Sequence, residues 1–277
     1  MPALSISGGS VTLAAEEHGE GTPVVLLHGL TATRRYVVMG SRALERSGHR
    51  VVLYDARGHG QSSPAPAPEA YGYGELVLDL QAVLDALGIE QAVLAGASMG
   101  AHTALALTLR APERVAGLII ITPAFDGRST SPERLARWDA LAGSLRSGGI
   151  DGFLDAQGEP TVKPAWRETV IKVIRQRLAG HEHLDAVADA LSAVPRSTPF
   201  GSLEELRAIT APTAIVASSD EADPEHPFAV GESYASLIAG AQLVRDEPGR
   251  SPVAWQGSQL SRVIAQVAAR AGAGGSV

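Results

Sequence analysis

The tightest constraint on this chain is a series of short apolar runs without polar alternation. Residues 23–27 (PVVLL), 50–54 (RVVLY), 92–95 (AVLA) and 115–121 (VAGLIII) are all of this kind. A strand that is apolar on both sides needs cover on both faces, which is the situation of a strand inside a parallel, helix-covered sheet. The stretches between the runs read as the covering helices. Residues 35–47 end at Gly48, and residues 74–87 put Leu76, Leu80, Val83, Leu84 and Leu87 on one face before Gly88. A further helix is expected over 99–110, and a further strand over 11–16. The pattern predicts an α/β fold, a doubly wound, mostly parallel sheet with right-handed crossovers.

The rhythm changes after residue 125. Residues 126–209 offer helical segments at 132–146, 150–156, 165–178, 183–194 and 203–208 and no convincing strand. This block reads as an inserted helical cap, with the core made of 1–125 and 210–277. Alternation resumes with strands at 213–217 and 242–245 and a helix over 254–269. The tail after Ala268, ARAGAGGSV, reads as frayed, and SSPAPAPEA at 62–70 as an extended loop.

Composition excludes several classes of function. A chain of 277 residues with 45% hydrophobic content can bury one large core. A net charge of −7 without a dominant basic patch argues against nucleic acid as a partner. The absence of cysteine removes disulfides, thiolate nucleophiles and Cys-based metal sites. No apolar run is long enough for a membrane span, and residues 1–5 lack the features of an export signal, so a cytoplasmic protein is the expectation. No glycine-rich phosphate loop appears, so no nucleotide cofactor is expected. The HEH triplet at 181–183 lacks convincing metal spacing, so no metal is expected either. A small molecule is the expected partner, and a homodimer is compatible with the chain.

The chemistry is concentrated where strands end. Gly96-Ala97-Ser98-Met99-Gly100 follows an apolar strand and opens a helix. A serine on so sharp a turn projects its hydroxyl clear of the sheet, and the amide of Met99 points into the same space. His28-Gly29-Leu30 ends another strand at the same edge, where the Leu30 amide can join Met99 in an oxyanion hole. His28 itself reads more as structural than as a base, with a place at the substrate site as its functional role.

With Asp55-x-Arg57-Gly58-His59-Gly60-x-Ser62 and Pro112-Glu113-Arg114-Val115, these motifs resemble the α/β-hydrolase fold family in order and spacing. Within it the chain is similar to the capped esterase, lactonase and meta-cleavage hydrolase branch. APTAIVASS and GAQLV extend the match toward the C-terminus. The resemblance implies that Ser98 is the nucleophile and that Leu30 and Met99 supply the oxyanion amides. It implies hydrolysis of a small ester, lactone or related carbonyl substrate, and an acid after the strand at 213–217. Asp220 fits by distance, and Asp223 fits by its context, Asp223-Pro224-Glu225-His226-Pro227.

The pattern breaks at the base. The family places a histidine after the last strand, in a Gly-His turn. Here Arg250 follows Gly249, and His226 is the last histidine in the chain. Arginine holds its protons at neutral pH and cannot serve as a general base. Three readings follow. His226 supplies the base from the loop that normally carries the acid. Alternatively, Arg250 binds a carboxylate or enolate and the scaffold runs a lyase, isomerase or cyclase step. In the third reading the fold binds a ligand without turnover. His102, one helical turn after Ser98, is a weaker base candidate.

Overall fold

The computed structural model describes residues 4–219, 223–246 and 255–274. Its strands are β1 (Leu4–Ser7), β2 (Thr12–His18), β3 (Thr22–Leu27), β4 (His49–Tyr54), β5 (Ala92–Ala97), β6 (Val115–Ile121), β7 (Thr213–Ala217) and β8 (Gln242–Arg245). Its α-helices are α1 (Ala43–Arg46), α2 (Tyr73–Ala86), α3 (Met99–Arg110), α4 (Pro132–Gln157), α5 (Pro164–Leu178), α6 (Leu184–Ala193), α7 (Phe228–Leu237) and α8 (Gly257–Gly274).

The strands form one sheet in the order β1-β2-β4-β3-β5-β6-β7-β8. β1 and β2 pair antiparallel, as do β2 and β4, while all pairs from β4 through β3 to β8 are parallel. This is the mostly parallel α/β architecture that the apolar runs predict. The direction of winding reverses between β3 and β5, which lie side by side. Crevices form at such a switch point, outside the carboxyl ends of the strands.

The lack of polar alternation has a direct structural cause. On one face of the sheet Val25, Leu27, Leu94, Leu118 and Ile120 pack against Leu80 and Leu84 of α2 and Leu105 of α3. On the other, Val24, Leu26, Val93, Ile119 and Ile121 pack against Leu260, Ile264 and Val267 of α8. Successive side chains alternate between faces, and both faces are apolar because both are covered. Between β6 and β7 the chain forms α4, α5 and α6, with a separate apolar cluster that includes Leu141, Leu145, Phe153, Leu178 and Leu191. Leu30, on the loop after β3, packs against this cluster as well.

Several elements depart from the sequence reading. The helix expected over 35–47 is broken: a 3₁₀ turn at Arg34–Tyr36 and the short α1 flank Met39 and Gly40, both at positive φ. The segments expected at 132–146 and 150–156 join as α4, which bends at Gly149 (φ 60°, ψ −149°). The segment at 203–208 is a 3₁₀ helix. β1 and α7 were not anticipated, and α8 continues to Gly274 through the stretch read as frayed.

The Asp55–Ser62 motif is built from buried charges. Arg57 Nε and Nη2 donate to the Asp79 carboxylate of α2 at 2.7 and 2.8 Å, and Nη1 donates to the Ala70 carbonyl and to Glu75 at 2.8 and 2.9 Å. Arg34 is paired with Asp55 and with Glu16. Removing one member of a buried pair leaves the other charge desolvated without its partner. Asp79→Ala is therefore expected to lower the unfolding free energy by about 3–5 kcal/mol, measured by chemical denaturation. A loss below about 1 kcal/mol, the range of an exposed ion pair, would show that the pair is not a structural anchor.

Candidate active site

Ser98 stands between β5 and α3 at φ 50°, ψ −111°. Positive φ is unusual for a residue with a Cβ and costs of order 1–3 kcal/mol. The turn is held by Ser98 N–H donating to the Ile121 carbonyl at 2.9 Å, and by His102 N–H donating to the Ser98 carbonyl at 3.0 Å. The flanking glycines are steric requirements: a Cβ on Gly96 would overlap the Gly100 carbonyl, and a Cβ on Gly100 would overlap the Leu27 carbonyl. The spacing Gly-x-Ser-x-Gly therefore follows from the close approach of β3, β5 and the start of α3.

The loop between β7 and α7 brings a histidine to this serine. His226 Nε2 lies 2.7 Å from Ser98 Oγ, and His226 Nδ1 lies 2.6 Å from Asp223 Oδ1. An ionised carboxylate only accepts, so the ring proton sits on Nδ1 and Nε2 is free to accept from the serine hydroxyl. The two loop residues meet because His226 N–H donates to the Asp223 carbonyl at 3.2 Å, closing a turn. Between them, Glu225 accepts from Arg134 (2.8 Å) and Arg137 (3.3 Å), both on α4. Such a chain of hydrogen bonds can take a proton from Ser98 and hold the resulting imidazolium against a carboxylate.

A cavity of about 350 Å³ opens beside this group. Its lining includes Ser98, Met99 and Leu30 from the strand ends, Tyr73 from α2, and Trp138 and Arg134 from α4. Met99 is the first residue of α3, where backbone N–H groups have no acceptor within the helix. The Leu30 amide belongs to the Gly29–Leu30 peptide, whose carbonyl accepts from His28 Nδ1 at 2.8 Å. Gly29 abuts the elbow that Ser98 forms between β5 and α3: a Cβ there would lie 3.6 Å from Ser98 Cβ.

Buried imidazoles hold this loop. His28 Nε2 accepts from Ala56 N–H at 2.9 Å, which leaves the proton on Nδ1 for Gly29. His59 Nε2 lies 2.7 Å from the Leu30 carbonyl. His181, from the α5–α6 connection, accepts from Gly60 N–H at 2.8 Å through Nδ1 and reaches the Thr31 carbonyl at 3.2 Å through Nε2. Burial pushes the pKa of His28 down to about 4 and that of His181 down to about 3.

The site residues expected from the sequence separate into groups. Ser98, His226 and Asp223 come together, and Leu30 and Met99 line the same cavity. Asp220 and Arg250 lie outside the described residues. The expectation of a substrate-binding His28 needs correction: the ring is 2% exposed and both its nitrogens are engaged by backbone, so it orients the Leu30 loop instead. His102 is not the group next to Ser98 Oγ; its ring nitrogens face Tyr73 and the amides of Ala124 and Phe125. The sequence reading missed Tyr73, which carries no motif. Among the described residues no group of three or more His, Cys, Asp or Glu could hold a metal ion, and no helix is long and apolar enough to cross a membrane.

A sequence profile for the family described as alpha/beta hydrolase fold matches residues 22–176, from β3 through the elbow and into α5. The chain belongs to the α/β-hydrolase fold family. It is 34% identical to the 2-hydroxy-6-oxononadienedioate/2-hydroxy-6-oxononatrienedioate hydrolase 2 of Pseudomonas putida, over 84% of this chain and 79% of that one. Among solved structures it is similar to a malate-bound thermophilic esterase from Thermogutta terrifontis, with TM-score 0.80, 26% identity, and 98% and 99% of the two chains covered. It is also similar to the enol-lactonase of Burkholderia xenovorans, with TM-score 0.71, 26% identity, and 97% and 98% covered.

The buried rings of this α/β-hydrolase make its stability depend on pH. His28, His181 and His102 have folded pKa values near 4, 3 and 3, against 6.5 when unperturbed. Between pH 6.5 and about 4 the unfolded chain binds protons at these rings that the folded chain does not. Stability therefore falls as pH falls through this window, by up to about 1.4 kcal/mol per pH unit for each ring. Denaturation midpoints measured from pH 7 to pH 4.5 are expected to decline steadily, with a shallower slope in His181→Gln. A flat profile over that range would contradict burial of neutral rings.

Proposed function

We propose that the protein is a serine hydrolase acting on a small ester, lactone or related carbonyl compound, with Ser98, His226 and Asp223 as nucleophile, base and acid. The observation that carries this reading is the unbroken hydrogen-bond chain from Ser98 Oγ through His226 to Asp223, at 2.7 and 2.6 Å, beside a cavity of ligand size. The relatives support a carbonyl substrate, since their names describe a hydrolase of an oxo-dienedioate, an esterase and an enol-lactonase.

Ser98 Oγ attacks the substrate carbonyl carbon while His226 Nε2 takes its proton. The carbonyl oxygen becomes an oxyanion, which the amides of Leu30 and Met99 stabilise; one such donor contributes about 3–4 kcal/mol to lowering the barrier. The imidazolium, held by Asp223, returns the proton to the leaving oxygen as the bond to it breaks, leaving an acyl-Ser98 ester. Water then attacks this ester, His226 accepts the water proton, and the acid product departs as Ser98 regains a hydrogen. Residues 126–209 act as a cap: α4 supplies Trp138 and Arg134 to the cavity wall.

In this reading the base has moved to the acid-bearing loop, so Arg250 is not required as a substitute. Ser98→Ala is expected to abolish labelling by a fluorophosphonate probe. His226→Ala is expected to reduce short-chain ester turnover by about 10³-fold or more, with residual activity from the oxyanion amides. Asp223→Asn is expected to cost about 10³–10⁴-fold, and more than Asp220→Asn. Unchanged turnover in His226→Ala, or labelling of wild-type protein that does not depend on Ser98, would overturn the assignment.

A further inference from the structure

The cavity wall beside Ser98 holds a second hydrogen-bonded pair that the proposed cycle does not use. His102 lies one turn beyond Ser98 on α3, Tyr73 lies at the first turn of α2, and both line the cavity. His102 Nε2 is 3.2 Å from the backbone N–H of Ala124 and 3.2 Å from that of Phe125. A backbone N–H can only donate, so Nε2 carries no proton. The single proton of the neutral ring is therefore on Nδ1, which is 3.1 Å from Tyr73 Oη. His102 donates and the phenol oxygen accepts.

This assignment has a consequence for the Tyr73 proton. A buried tyrosine usually donates its O–H to a partner in the protein. Here the approach from His102 is taken by a donor, and among the described residues His102 is the hydroxyl's hydrogen-bond partner. The O–H is left to donate to whatever occupies the cavity. Burial holds both groups in this state, lowering the pKa of His102 to about 3 and raising that of the Tyr73 hydroxyl. The tyrosine is also fixed in place. Its backbone N–H donates to Ser197 Oγ at 2.9 Å, and its ring packs with Leu76, Met99 and Val194.

We propose that Tyr73 is a substrate-binding residue whose hydroxyl donates to a second oxygen of the substrate, distinct from the carbonyl oxygen received by the Leu30 and Met99 amides. It selects acyl compounds that carry an additional keto, ether or carboxylate oxygen over plain acyl chains of the same length. The inference rests on the cavity beside Ser98 being the substrate site. A site built to hydrogen-bond an oxygen discriminates against analogues that lack it, because its own polar group is left unpaired.

Binding to the Ser98→Ala protein tests this without turnover. The probes are 4-nitrophenyl esters of pentanoic, 4-oxopentanoic and ethoxyacetic acids and the mono-4-nitrophenyl ester of glutaric acid, measured by calorimetry. At least one oxygen-bearing ester is expected to bind about tenfold more tightly than the pentanoate. In Ser98→Ala/Tyr73→Phe that preference is expected to fall to within about twofold. A merely structural role for Tyr73 would weaken all the esters together and leave their ratio unchanged. Equal or undetectable binding of every ester to Ser98→Ala overturns the proposal, as does a preference that survives Tyr73→Phe. Failure of the hydrolase reading appears separately, as absence of ester turnover by the wild-type protein.

Discussion

The candidate site depends on one backbone conformation, the positive φ of Ser98 between β5 and α3. The conformation is unfavourable for serine, and its surroundings over-determine it. Gly96 and Gly100 allow β3, the end of β5 and the start of α3 to approach to a distance that no Cβ would permit. The Ile121 carbonyl, at the end of the neighbouring strand, fixes the Ser98 amide. The outcome is that one turn places Ser98 and Met99, the first residue of α3, in the wall of the same cavity. Sheet topology adds the rest. β3 lies beside β5 at the point where the winding reverses, so the Leu30 loop borders the elbow although nearly seventy residues of chain separate them.

The position of the histidine changes how the site is coupled to the rest of the fold. Asp223 and His226 sit three residues apart in one turn, just before α7, so a single short segment carries both groups. Glu225, between them, is tied to Arg134 and Arg137 of α4. These ion pairs are partly exposed, and exposed pairs contribute at most about 1 kcal/mol each. Their importance is geometric. They link the turn that orients the imidazole to the helix that contributes Trp138 and Arg134 to the cavity wall. In the proposed cycle, base, acid and cavity wall would shift together.

Much of this was legible in the sequence because it depends on local chemistry. Unalternated apolar strands mark a sheet covered on both faces, and the glycines around Ser98 mark a turn that only they allow. What stayed hidden depends on distant parts of the chain. The pairing of His226 with Ser98 spans 128 positions, and sequence alone could not decide between a base on that loop and none at all. α7 was missed because Gly231 and the serines interrupt its apolar pattern; the fold needs Gly231, since a Cβ there would press on Ala217 of β7. The helix read over 35–47 gives way at Met39 and Gly40, where backbone at positive φ overrides propensity. Tyr73 had no signal, because its role depends on the ring proton of His102, which amides more than twenty residues farther along the chain determine.

The histidines divide by environment. His28, His59, His102 and His181 are nearly sealed from solvent, and each has a ring nitrogen engaged with backbone. Burial penalises the charged form, so these rings act as neutral dipoles, and in His28, His102 and His181 a backbone N–H fixes which nitrogen accepts. That property suits a scaffold for oxyanion donors. The Gly29–Leu30 peptide is polarised by a donor on its carbonyl, and the next two carbonyls each meet an imidazole. In the proposed cycle the Leu30 amide would then be held in place before any substrate arrives and would need no reorganisation as charge develops. His226 keeps 19% side-chain exposure and faces a carboxylate. The same side chain thus serves as rigid framework where it is sealed among amides and carbonyls, and in the proposed cycle it transfers protons where it lies between a hydroxyl and an acid.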